Sequence, residues 1–416
     1  EWASARAAQS RLDSAGIPYS VIPGNHDYPD VGKYRRRDPA GFNATFPPSY
    51  FAGKSWYRGH FGAGNENNYA FFEDGDAKFI GMALEWAPRK DVMCWANKIL
   101  REHPERRATA STHCYQAPGG GHNDCNRESS KMKLTGHTGA TRDVLWNELI
   151  RQNPNVFLVV SGHVPESEHA MRDRQTGGYA TVATRDTVHE VLTDYQSERG
   201  TAALHLPVEK RSHEHGNGWL RTLEFRRDER RVVVRTISVL NAGSFNYNQF
   251  NEPDRYSPDT GSNEHQFSFP YDLGAPIPTQ PVSAPDRFVE RSISETRLGQ
   301  QRAPRIAADS AGNWIGVWED DRIRARGFDA NGCERFGEIT VNIDTTQQQT
   351  RPAVAMDGAG NFVVVWEARG AIKARGFDAA GRERFAERRV NAVSTLQQRR
   401  PAVAIGRAGN FVVAWE

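Results

Sequence analysis

The run Ile17-Pro18-Tyr19-Ser20-Val21-Ile22-Pro23-Gly24-Asn25-His26-Asp27-Tyr28 decides how the rest of the chain is read. Tyr19, Val21 and Ile22 suit a buried strand, because aromatic and β-branched side chains fit a pleated surface, and Pro23-Gly24 stops it. The run therefore predicts a strand whose carboxyl end opens into a turn bearing an amide, an imidazole and a carboxylate. Loops at the carboxyl ends of strands are where α/β folds gather their chemistry.

Upstream, Ser4 to Ala15 is helix-like. Downstream, residues 29 to 68 are rich in Gly, Pro, Asn and aromatics without clear periodicity, which predicts a long irregular excursion. Arg35-Arg36-Arg37 within it reads as a solvated basic turn or as a phosphate contact. Residues Asn68 to Phe72 and Lys78 to Leu84 read as paired strands around the acidic turn Glu73-Asp74-Gly75-Asp76. A helix over Val92 to Glu102 presents Val92, Trp95, Ala96 and Ile99 on one side. A strand from Arg107 then leads into Ser111-Thr112-His113. His122, in the glycine loop Gly119-Gly120-Gly121, reads as a surface residue. Gly136-His137-Thr138-Gly139 precedes the amphipathic helix Thr141 to Gln152 and follows no strand. The run Asn155 to Ser161 is continuously apolar from Val156 to Val160 and stops at Gly162-His163. A strand buried on both faces shows that pattern.

Gly24-Asn25-His26-Asp27, His113 and Gly162-His163 thus each stand at a strand end. After them come Val188 to Gln196, the turn Gly216-Asn217-Gly218-Trp219-Leu220-Arg221, and a strand from Arg231 to Val239. This order resembles the calcineurin-like metallophosphoesterases, in particular an exported bacterial branch, over roughly residues 1 to 270. The resemblance implies an α/β fold, an αββα sandwich incomplete at its N-terminus. It implies metal-dependent hydrolysis of a phosphomonoester or phosphodiester by a metal-activated hydroxide. Asn25, His113 and His163 are then metal ligands, His26 the proton donor and Asp27 the residue that orients it. Two divalent ions (Mn, Fe or Zn) are the implied cofactor, and a phosphoester is the substrate.

This chain departs from the family's pattern twice. Where the family has Gly-His-x-His, the chain has Gly162-His163-Val164-Pro165, with His169 the nearest substitute. The family's earlier signatures, Asp-x-His and the Gly-Asp that carries the bridging carboxylate, have no counterpart in the 23 residues before Gly24. Without that carboxylate two divalent cations repel across a short distance. The chain therefore reads as a fragment cut at both ends, weakly active or inactive by itself, with phosphoesterase activity belonging to the intact parent. The alternative is a catalytically degenerate scaffold fused to a β-repeat binding or adhesion module.

With 416 residues, two or three domains are expected. Lys plus Arg number 53 against 51 Asp plus Glu, a balance that argues against a dedicated nucleic-acid binder. Mean hydropathy is −0.69, and no apolar run reaches the roughly 18 residues of a membrane span. Cys114 and Cys125 either close a loop in an exported protein or remain buried thiols. The expected location is extracellular or in the cell envelope. The expected domains are 1-269, a proline-rich linker 270-289, and an all-β repeat region 290-416. In the last, Gly312-Asn313-Trp314 returns as Gly360-Asn361-Phe362 and Gly409-Asn410-Phe411. The period is 48 and then 49 residues, counted between Trp318, Trp366 and Trp415. Four short strands per repeat with a recurrent Trp look like propeller blades, whose work is to bind a surface ligand. Asp309, Asp329, Asp357 and Asp378 read as turn caps.

Overall fold

The structure, a computed structural model, describes residues 2–31, 34–35, 38–116, 139–164, 166–194, 219–238, 267–278, 293–294, 300–330, 332–344, 348–392, 397–407 and 409–416. It is mostly β-sheet with few helices among these residues, and it forms two compact units, Glu1–Pro285 and Asp286–Glu416. The expectations attached to Arg36, Arg37, His122, Cys125, His137, Pro165, Tyr195, Gln196 and residues 216–218 lie outside the described residues.

The first unit opens with α1 (Trp2–Ser14), followed by the short elements β1 (Asp30–Val31), β2 (Tyr34–Arg35), α2 (Ala40–Thr45) and α3 (Pro48–Phe51). The stretch read as irregular is thus partly regular. Its aromatics Phe42, Phe46 and Phe51 form a small core. The Ile17–Ile22 run is not a strand. Tyr19 and Val21 pack into that aromatic core, but side chains take the place of a ladder: Trp56 Nε1 donates to Tyr19 O at 3.2 Å and Asn68 Nδ2 to Val21 O at 3.1 Å. Strand-forming side chains were present, but among the described residues no neighbouring strand pairs with the run.

A seven-stranded sheet then follows, built from β3 (Tyr57–His60), β4 (Asn68–Asp74), β5 (Ala77–Leu84), β6 (Arg107–Thr112), β7 (Val156–Ser161), β8 (Glu166–Asp173) and β9 (Thr187–Asp194). Its order is β3-β4-β5-β6-β7-β9-β8. The central strands β5, β6, β7 and β9 are parallel, and the rims are antiparallel. Parallel neighbours need long crossovers. Helix α4 (Lys90–Glu102) joins β5 to β6, and a helical segment precedes β7. There, Arg142–Leu145 is α-helical and capped by the Thr141 hydroxyl, and Trp146–Ile150 continues as π-helix.

Successive strand side chains alternate between faces. Ile80, Val156, Val159 and Val188 pack with Val92, Leu100, Trp146 and Ile150 of the helices. Phe79, Phe157 and Val191 turn the other way, against Leu223, Phe225 and Phe267 of a second, three-stranded sheet. That sheet comprises β10 (Trp219–Arg226), β11 (Arg231–Ser238) and β12 (Phe267–Pro270). Tyr271, at the start of the proline-rich stretch, stacks on Phe157 with centroids 4.3 Å apart.

In the second unit each of the first two repeats is one antiparallel meander of four strands. The first holds β13 (Arg302–Ala308), β14 (Trp314–Glu319), β15 (Ile323–Phe328) and β16 (Glu334–Thr340). The second holds β17 (Gln349–Met356), β18 (Phe362–Ala368), β19 (Ala371–Phe377) and β20 (Glu383–Arg389). The hairpin β21 (Ala402–Ile405) with β22 (Phe411–Ala414) belongs to a third. One meander cannot bury its own apolar face, so neighbours share a core. Ile315, Val317 and Ile323 meet Met356, Val364 and Trp366, and Val363 and Val365 meet Val403 and Val413. A repeated contact joins the units of the array: the Glu319 carboxylate accepts from Arg351 N, and the Glu367 carboxylate from Arg400 N. The aspartates cap turns, as expected. Asp309 Oδ1 accepts from Ala311 N and Asn313 N, and Asp357 Oδ1 from Ala359 N and Asn361 N, all at 2.9 Å.

Candidate functional site

β6 and β7 are parallel neighbours, so the residues that follow them emerge at the same sheet edge. His113 comes directly after β6 and Gly162-His163 after β7. The Gly162 N–H donates to His113 O at 3.1 Å, and the two imidazole centroids are 4.7 Å apart at 66°. The third group arrives from the opening run. Asn25–Asp27 forms one 3-10 turn, and buried Asn25 places Oδ1 2.9 Å from His113 Nε2. An amide oxygen only accepts, so Nε2 carries the proton in this contact. His163 holds φ at +72°, a left-handed conformation uncommon for a side chain of this size and one that clusters at working sites. Gly24 leaves room for the ring: a Cβ there would stand 3.2 Å from His113 Cε1.

Asn25, His113 and His163 are therefore brought together, and His26 and Asp27 divide differently from what was expected. His26 is exposed. The Asp27 carboxylate closes the turn by accepting from Gly24 N at 2.7 Å. Burial pushes the Asp27 carboxyl up, while the Gly24 N–H and the nearby His26 pull it down. His169 does not reach back toward His163. It lies on β8 between the sheets, with Nε2 3.2 Å from His189 Nδ1, stacked on Phe267 and Phe269. Burial, then the charge of Arg221, lowers His169 to about 4, and burial with the neighbouring His169 lowers His189 to about 3.

The expected pair of divalent ions is corrected on this geometry. Among the described residues the donors that converge are two imidazoles and one amide oxygen, with no carboxylate between them. Among the described residues no three His, Cys, Asp or Glu side chains are grouped to hold a metal ion. His113 Nε2 pairs with Asn25 Oδ1, and among the described residues no carboxylate joins the cluster to supply the negative charge two such ions need.

Two neighbourhoods escaped the sequence reading. Tyr28, Trp86, Cys114 and Val164 form an apolar floor, with Trp86 edge-on to His113 at 6.2 Å. Trp86 carried a usable signal, since it follows β5 as His113 follows β6. Behind the site Glu190 is fully buried. Its oxygens accept from Tyr115 Oη and Arg142 Nη2, each at 2.7 Å. Burial pulls Arg142 down, but the carboxylate outweighs it and holds the guanidinium up.

No family model matches the chain. An uncharacterized protein of Bacillus subtilis, YvnB, is 26% identical over 274 residues, covering 66% of this chain and 18% of its own length. The chain thus spans less than a fifth of that relative. Among solved structures, an α-L-arabinanase of Penicillium chrysogenum complexed with arabinobiose is 13% identical over 49% of this chain and 54% of its own, with a TM-score of 0.22. An engineered GH43 glycoside hydrolase is 9% identical over 61% and 45%, with a TM-score of 0.21. A Bacteroides caccae protein of unknown function is 15% identical over 29% and 40%, also at 0.21. Among the described residues the site brings together two imidazoles and one amide oxygen and no carboxylate, which is not the donor set of a dinuclear centre. The expectation of a hydrolase of phosphoric esters is corrected accordingly. Likeness at these TM-scores assigns no glycosidase activity either.

Proposed function

We propose that the chain is a metallophosphoesterase-like scaffold, αββα in its first unit, joined to a propeller-like repeat module that binds a surface ligand, and without phosphoester turnover of its own. The observation that carries this reading is the Asn25, His113 and His163 cluster. Three loops converge as a metal site would require, while among the described residues no carboxylate joins them and the Asp27 carboxylate accepts from Gly24 N. The repeats support a binding role: their recurrent aspartates are satisfied by turn amides, which leaves their other exposed side chains for recognition. Disulfide-bonded Cys94, Cys114 and Cys333 support an exported, oxidising setting. No helix among the described residues is long and apolar enough to cross a membrane, which says nothing of a β-barrel.

The test compares the chain with a His113→Ala, His163→Ala variant, using Mn2+ and bis(4-nitrophenyl) phosphate. Both are expected to release nitrophenolate at the same background rate, and both are expected to co-sediment with bacterial cell envelopes. Mn2+-dependent turnover that disappears in the variant would overturn the scaffold reading, and failure to sediment would overturn the binding role.

A further inference from the structure

At the end of the parallel sheet opposite the Asn25 turn, a cavity of about 310 Å3 opens where β6, β7 and β9 begin. Its wall includes Arg107, Val156 and Thr187, the first residues of those strands, and the segment after β12. Two arginines are built into it. Arg107 is 9% exposed and Arg174 is 2% exposed. Arg107 Nη2 donates to Leu273 O and Ala275 O, both at 2.6 Å, and Arg174 donates to the carbonyls of Ile150, Asn153 and Val156. All of these acceptors are neutral. Among the described residues neither guanidinium forms an ion pair, and the Nε of each is buried without a hydrogen-bond partner.

A buried cation without a counter-ion is expensive, and carbonyl dipoles offset only part of the lost hydration. Burial pulls Arg174 down to about 10, with Asp186 and other anions opposing too weakly to restore it. Two more arginines, exposed Arg185 and Arg230, stand at the lining. The one acid among the described lining residues, Asp272, lies 3.6 Å from Arg230. Four guanidinium groups at the lining outnumber the carboxylates of Asp272 and of Asp186, which acts on Arg174 from nearby, and give the cavity a positive field, focused by the low-dielectric walls of Phe157, Tyr271 and Ile277.

We propose that this cavity binds a small organic oxyanion, a phosphate, sulfate or carboxylate carried on an apolar or ring-shaped body. The volume is at the lower end of the range for ligand pockets, about 300 to 1,000 Å3, and so suits a small molecule. Guanidinium groups are the natural partners of all three anions, and the aromatic and proline walls take the body.

Calorimetric titration of the whole chain with phenylphosphonate, benzenesulfonate and benzoate tests this, with benzyl alcohol as the neutral control. One saturable site is expected for at least one anion, and the preferred head group distinguishes phosphate from sulfate and carboxylate. The Arg185→Ala, Arg230→Ala variant removes only exposed side chains, so it should melt with the unliganded chain yet bind at least about tenfold more weakly. No saturable binding at millimolar probe overturns the proposal. So does benzyl alcohol binding as well as the anions, or affinity undiminished in the double variant.

Discussion

His169 and His189 are two imidazoles held neutral between stacked phenylalanines, and that arrangement sets an acid limit on the first unit. In the unfolded chain each titrates near 6.5, whereas in the fold they are lowered to about 4 and about 3. The unfolded state therefore binds more protons at any pH between these values. Stability from this pair is complete above pH 6.5 and is lost as pH falls toward the folded values, by up to about 1.4 kcal/mol per pH unit for each imidazole. Urea unfolding followed from pH 7 to pH 4 should show that slope, and a His169→Phe, His189→Phe variant should flatten it. An unchanged slope would show that other groups carry the acid sensitivity. The contrast with His113 and His163 explains what was legible at this scale. Those two could be located because each ends an apolar or β-prone run. In Val188-His189-Glu190-Val191 a period of two sends His189 to one face and Glu190 to the other. What buries them, Phe269 and Arg142, is distant in sequence and left no local mark.

At the scale of the strand, the two complete repeats make a prediction in duplicate. Gly327 stands opposite Phe336, and Gly376 opposite Phe385. A Cβ at Gly327 would be 2.2 Å from the Phe336 ring, and one at Gly376 would be 2.1 Å from the Phe385 ring. Gly327→Ala and Gly376→Ala should each destabilise the repeat unit by about 1 to 3 kcal/mol, as overpacking does. Gly358→Ala, where a Cβ meets nothing within 4 Å, should leave it near the wild-type value. Thermal melts of the three variants decide it. These strands were legible because a repeated sequence announces a repeated unit. The Ile17–Ile22 run was misread for the opposite reason: its side chains suit a strand, but strand formation also needs a neighbour's backbone, which no pattern of side chains reports.

Across the whole molecule, the two units have separate cores. Calorimetry should resolve two unfolding transitions. Gly376→Ala should move only the transition of the repeat unit, and lowering the pH from 7 to 5, above the range where carboxylates titrate, should move only that of the first unit. A single transition that shifts under both perturbations would show that the units unfold together. At this scale the role of Tyr271 was not legible, because its neighbours in sequence speak for a linker while its ring stacks on Phe157.

The contact between a strand-end glutamate and the following repeat's backbone, Glu319 to Arg351 and Glu367 to Arg400, uses the same two partners at each junction. Whatever duplicates or deletes one period of coding DNA restores an identical seam on both sides. The length of the array is therefore free to change by recombination between copies, one whole repeat at a time, without any compensating substitution.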